Sequence, residues 1–201
     1  ADVRLELLDS AKPLRHGARV RFHHGTRELL GRVVLPDAAE APPGASVWAR
    51  VHFEAPAALV RGDRFILRAY SPLATIAGGT VLDPAPPRRG VRTPAGRARF
   101  TRLAEADPGG VEAVMTLIDE AGLDGLPLAA LVGRAGVPWR ERERTVARLE
   151  GRAVSMGGRL VSSARLAAAE AAIVTALASH HAASPLDAGI PREEVRERCF
   201  G

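Results

Sequence analysis

Six short apolar runs, each closed off by turn-forming residues, restrict this chain more than any other feature. They occupy 3–7, 18–23, 28–35, 47–53, 64–69 and 75–82 and are rich in Val, Leu and Phe. Pro13, His24-Gly25, Pro42-Pro43-Gly44, Pro56, Gly62-Asp63 and Ser71-Pro72 separate them. No helical period runs through this half, and strands at this spacing predict an antiparallel barrel or sandwich. The expectation is an all-β, six-stranded antiparallel barrel over residues 1–87. Alternation is clearest in VWARVHF, where Val47, Ala49, Val51 and Phe53 share one face, the inner one. In the stretch RGDRFILRAYSPLATIAGGTVLDP (61–84), Gly62-Asp63 offers a turn and Gly78-Gly79 a bulge or tight bend.

Composition changes after this half. PAPPRRGVRTPAGRAR (84–99) is dense in proline and arginine, and no acid lies between Asp83 and Glu105. Pro84, Pro86 and Pro87 favour an extended, stiff path, so 88–99 reads as an Arg/Pro linker. Helices are expected from Pro94 to about 106, over 111–121 with Val114, Leu117 and Ile118 on one stripe, over 127–133, and over 138–152. Two strands, 153–156 and 159–162, flank a Gly157-Gly158 turn. That order predicts an α+β winged helix over 100–162. A long Ala-rich helix from Ser163 to about His180, a loop with Pro185 and Gly189, and a helix over 191–199 read as part of a second winged helix over 163–201.

Several chemistries are set aside by the same residues. Lys12 is the only lysine, and Pro13 follows it, so no Gly-Lys-Ser/Thr phosphate loop exists and GTP hydrolysis by that chemistry is excluded. His23-His24 point to opposite faces of a strand, and His180-His181 sit at a helix end. One cysteine, Cys199, cannot build a structural zinc site or an internal disulfide, and fits a reducing cytosol. No nucleophile elbow is present. Asp63 and Asp83 are available acids, although Gly62-Asp63 reads most simply as a turn. The N-terminal ADVRLELLDS lacks the pattern of a signal peptide, and no apolar run approaches the roughly 18 residues of a membrane span. Aromatics make up 4% of the chain, so the cores are expected to be Leu, Val and Ala.

Two basic features remain. Arg88, Arg89, Arg92, Arg97, Arg99 and Arg102 form either a solvated linker or a strip that tracks phosphates, with Arg88, Arg89 and Arg92 as the RNA-binding candidates. The expected helix 138–152 carries Arg140, Arg142, Arg144 and Arg148 but also Glu141, Glu143 and Glu150. That balance favours a protein-packing or spacer role over DNA reading.

The runs VRFHHGTRELLGRVVL (20–35), RGDRFILRAYSP (61–72), TIAGGTVLDP (75–84), PPRRG (86–90) and HHAASPLDAGIPREEVRERC (180–199) resemble the bacterial selenocysteine-specific translation elongation factors. The resemblance implies a GTPase related to elongation factor Tu that delivers selenocysteinyl-tRNA to a recoded UGA codon. It places here the third domain, a barrel, and the first part of a winged-helix arm leading to an mRNA hairpin-binding module. GTP and magnesium are then expected in a GTPase domain elsewhere, and no cofactor, metal or catalytic residue in this chain. The expected partners are selenocysteinyl-tRNA and, through the full-length protein, the ribosome and the mRNA hairpin. A cytoplasmic monomer without membrane contact follows. By position the loop 70–74 corresponds to a transfer-RNA contact, with Tyr70 and Ser71 bonding phosphate or ribose and Arg68 pairing with phosphate. Tyr70 reads equally as a half-buried rim aromatic. His23, His24 and Arg27 flank another turn. The alternative is a winged-helix DNA-binding transcriptional regulator with a β-barrel sensor domain, binding through Arg140, Arg144 and Arg148. An enzyme with a barrel active site would need a pocket of acids and histidines that the sequence does not supply.

Overall fold

A computed structural model describes residues 1–200. The chain forms two compact units, Ala1–Leu117 with Leu128–Arg148, and Ile118–Pro127 with the chain from Leu149. The division does not fall at 88–99, where the sequence suggested a linker.

The first unit begins with β1 (Asp2–Leu7), β2 (Leu14–Arg15), β3 (Arg19–His24), β4 (Arg27–Val34), β5 (Glu40–Ala41), β6 (Ser46–Phe53), β7 (Arg64–Ala69) and β8 (Thr75–Asp83). Six of them close an antiparallel barrel in the order β1-β6-β4-β3-β7-β8, and β8 pairs back onto β1. Closure leaves no strand edge unpaired. The expected alternation holds on β6: Ala49 and Val51 are buried in the core, and Val47 and Phe53 pack against it. The ladder between β2 and β5, Leu14 opposite Ala41, has no counterpart in the sequence reading, because two residues cannot display alternation.

The barrel core is more aromatic than composition suggests. Phe22 stacks on Phe65 at 4.1 Å and meets Phe53 edge-on at 5.0 Å, so three of the five phenylalanines meet there. Gly79 makes room for this cluster. A Cβ at that position would lie 2.5 Å from the Phe65 ring and 2.4 Å from the Arg4 carbonyl. Of the bulge or tight bend expected at Gly78-Gly79, the bulge is absent, since both glycines stay in register with β7. The register shift between β7 and β8 falls at Leu67/Arg68 instead.

Strand direction sorts the loops. Tyr70 follows β7 at the end where β8 starts, and Asp83 ends β8 at the other. From there the chain runs to α1 (Pro94–Glu105), whose N-cap Thr93 accepts a hydrogen bond from the Gly96 amide at 3.1 Å. With Pro94 in the first turn, half of the expected linker is helical. The outer wall of the barrel meets this helix: Trp48 stacks on Phe100 with centroids 6.0 Å apart.

Next in chain order come α2 (Val111–Ala121), β9 (Leu126–Pro127) and α3 (Ala130–Gly133). A 3-10 turn, Trp139–Glu141, then leads into α4 (Arg142–Ala147). Two expected helices are shortened. Gly125, at φ 71° and ψ 154°, sends Leu126 into a strand before α3. Glu141, at φ −100° and ψ 0°, interrupts the other, and Gly151 at φ 80° turns the chain beyond its end.

The second unit holds β10 (Ala153–Met156) and β11 (Arg159–Ser162), paired across Gly157-Gly158, both with positive φ as a tight hairpin turn needs. β9 adds to the free edge of β11, making three strands where two were expected. Then follow α5 (Ser163–Ala183) and α6 (Arg192–Phe200), neither with a fully buried side chain. The element order from α2 to β11 is compatible with a winged helix. Among the described residues, no helix is long and apolar enough to cross a membrane.

Candidate nucleic-acid interface

The alternation Arg19-Val20-Arg21-Phe22 on β3 buries Val20 and Phe22 and sends both arginines outward. They meet Tyr70. The Arg19 guanidinium lies 4.4 Å from the ring centroid and that of Arg21 5.1 Å. Arg19 donates two hydrogen bonds to Glu54, each 2.8 Å, and these hold the Glu54 carboxyl below its ordinary pKa. Arg21 pairs with Glu28. Tyr70 itself stays 40% exposed.

Beside it is a shallow depression lined by Lys12, Arg15, Arg19, Tyr70 and Ser71 with apolar Pro13 and Ile76 among the others, and no acid. The nearest acid to Arg15 is Glu40, at 3.9 Å on the open surface. Arg68 lies opposite Arg21 in the β3–β7 ladder, and its buried Nε has no hydrogen-bond partner. Cations, a phenol and a hydroxyl on one concave surface suit a phosphodiester backbone, which offers anionic oxygens and ribose edges.

The structure thus gathers Arg68, Tyr70 and Ser71 at one rim and adds Lys12, Arg15, Arg19 and Arg21. Sequence reading missed these four, although the outward positions of β3 follow from its alternation. Arg88 and Arg89 are exposed but lie elsewhere. Pro87, just before them, accepts a hydrogen bond from Arg50 on β6, which stands opposite β7 in the closed ring. Arg92 is exposed near the start of α1. His23 and His24 end β3 away from Tyr70, where His24 Nε2 is 3.1 Å from Asp63. Arg27 follows across the turn.

Two more arginines of the expected phosphate strip have another use, whereas Arg102 is exposed on α1. Arg97 pairs with Asp37 at 3.3 Å. Arg99 is buried, with Nη1 2.6 Å from Asp2 and Nη2 bonded to Asp83. Asp2 also accepts two hydrogen bonds from Arg50, at 2.6 and 3.0 Å. Asp83 accepts two from Arg134, at 3.1 and 2.6 Å, and one from the Ala85 amide at 2.9 Å. Burial pushes the Asp83 carboxyl up, but the Arg134 bonds and the charges of Arg134 and Arg99 outweigh it and hold the group below its ordinary value. Asp83 is therefore a structural acid. Arg61 completes the junction by donating to the carbonyls of Leu82 (2.6 Å), Leu103 and Ala106 (2.7 Å), which caps the C-terminal end of α1. Burial lowers its pKa. The Arg61 amide in turn donates to Gly133 O at 2.9 Å. Barrel, α1 and α3 are joined by these contacts.

Among the described residues, no group of His, Cys, Asp or Glu is arranged to hold a metal ion. Residues 1–88 match the β-barrel domain of the selenocysteine-specific elongation factors. The chain is 30% identical over 200 residues to the selenocysteine-specific elongation factor of Desulfomicrobium baculatum, aligning 96% of this chain with 31% of that protein. It is also similar to the crystal structure of the bacterial selenocysteine-specific elongation factor EF-Sec. That match has a TM-score of 0.63 and 19% identity, and covers 98% of this chain and 29% of the other. The chain spans about a third of the length of the curated relative it matches. Its barrel thus matches that of the selenocysteine-specific elongation factors from end to end, and its helical part aligns with one of them.

Proposed function

We propose that this chain supplies the transfer-RNA-contacting barrel of a selenocysteine-specific elongation factor and the start of a winged-helix arm directed toward its mRNA hairpin-binding module. The whole protein delivers selenocysteinyl-tRNA to the ribosome in the cytoplasm, and its GTP and magnesium chemistry lies outside this chain. The observation that carries the reading is the rim depression lined by Lys12, Arg15, Arg19, Tyr70 and Ser71 and by no acid, with Arg68 beside it and Arg19 held from outside by Glu54. These groups bind the RNA backbone. Arg88, Arg89 and Arg92 contact RNA only where it reaches past the barrel wall. The closed ring offers no edge for strand pairing with a second copy, which fits a monomer.

The test is binding of the chain to selenocysteine tRNA and to duplex DNA across a salt series. The expected result is weak tRNA binding whose logarithm falls with log salt by about 0.7–0.9 per phosphate contact. Lys12→Ala with Arg15→Ala should lower that slope by about 1–2. Tighter binding to duplex DNA, lost on changing Arg140, Arg144 and Arg148, would establish the transcriptional-regulator reading instead. That reading has only the six residues of α4 to enter a groove.

A further inference from the structure

The two tryptophans have opposite fates. Trp48 is stacked against Phe100, whereas Trp139 is 65% exposed, the most exposed aromatic ring described. It is also held in place. The Arg142 guanidinium lies 3.2 Å from its ring centroid, and Arg142 Nε donates to the Trp139 carbonyl at 3.0 Å. Pro138, at φ −57°, leads into the 3-10 turn that presents the ring. One face of the indole is covered by a cation, and no other ring or cation stacks on it among the described residues.

The charges nearby are net basic. From Pro138 to Arg148 there are four arginines and two glutamates. Arg144 is exposed on α4, and Arg148, one turn on, lines a separate depression with Glu105, Asp107 and Glu112. Glu143 is rotated about 100° from Arg144. Thr145 is buried, which fixes how this short helix sits. An exposed aromatic face backed by a guanidinium, in a net basic segment, matches a flat base and its adjoining phosphates. It does not match an apolar protein surface, because the neighbouring residues Arg140, Glu141, Glu143 and Arg144 are all exposed and charged.

We propose that Trp139, backed by Arg142 and with Arg140 and Arg144 exposed close to it in the chain, is a stacking platform for an unpaired base of single-stranded RNA, separate from the barrel rim. Its partner is an unpaired segment of an RNA that the factor meets, read without sequence preference.

The experiment uses the whole chain and a fluorescein-labelled mixed-sequence 12-nucleotide RNA, followed by anisotropy and by tryptophan emission. DNA of the same sequence, as a single strand and as a duplex, gives the comparison arms. Trp139→Ala should weaken RNA binding roughly tenfold, as loss of one stacked base does, and Trp139→Phe should restore most of it. RNA should quench emission in the parent but not in Trp139→Phe. In Tyr70→Ala the RNA-induced quenching should persist even where total affinity falls through the rim, so failure here and failure at the rim are distinguishable. The circular dichroism of each variant checks folding. Equal binding by parent and Trp139→Ala overturns the proposal. So does the absence of RNA binding by the parent, preference for duplex or single-stranded DNA, or a self-association of the chain that Trp139→Ala abolishes.

Discussion

Replacing Asp83 by Asn keeps the shape of the side chain and removes its charge, so it tests the junction between barrel and helices directly. The carboxylate is fully buried and accepts from Arg99, Arg134 and the Ala85 amide. Its loss leaves two guanidinium groups facing a neutral amide. Breaking one partner out of a buried ion pair costs about 3–5 kcal/mol. The lower end applies here, about 3 kcal/mol, for two reasons. Arg99 keeps Asp2, and the Arg134 side chain is 20% exposed and can turn to water. With a urea slope of about 2 kcal/mol/M, that is a fall in midpoint of about 1.5 M. Trp48, stacked on Phe100, reports this unit in fluorescence-monitored unfolding. Arg134→Ala in the same background should add less than it does alone, since its partner is already gone. An Asp83→Asn midpoint equal to that of the parent would refute the reasoning, because the network would then be spectator charge.

The same carboxylate sets an acid limit. Its folded pKa is lowered, so its contribution is fully present above the unfolded value of about 3.9 and is lost as pH falls through the folded one. Stability of the parent should therefore drop more steeply below about pH 4 than that of Asp83→Asn, measured by urea midpoints from pH 6 to pH 3. The two glycines of β8 should also separate. Gly79→Ala drives a methyl group into the Arg4 backbone carbonyl and the Phe65 ring and should cost about 2–3 kcal/mol in thermal unfolding. Gly78→Ala meets nothing closer than 3.9 Å and should cost less than about 1 kcal/mol.

The barrel was legible because each of its six long strands carries its own period and its own terminating turn. Val47, Ala49, Val51 and Phe53 face inward as the alternation says, and β7 runs over the expected residues. The aromatic cluster was not legible, because Phe22, Phe53 and Phe65 lie on three strands and meet only through closure. The rim was half legible. Tyr70, Ser71 and Arg68 are local to one loop, whereas Lys12 and Arg15 arrive from a segment whose only order is a two-residue ladder. Arg99 shows the opposite limit. In the sequence it is one arginine of a basic run, and only the distant acids Asp2 and Asp83 turn it inward. The helix at 138–152 failed for a local reason, a backbone break at Glu141 that composition does not signal.

β1 is held on both sides, by β6 and by β8, and it also brings Asp2 to Arg99. A version of this chain beginning after Leu7 would therefore not be a smaller cylinder. It would be a five-stranded curl with two raw margins, and the helix lying on its wall would have lost one of the two carboxylates that hold its inward-facing arginine.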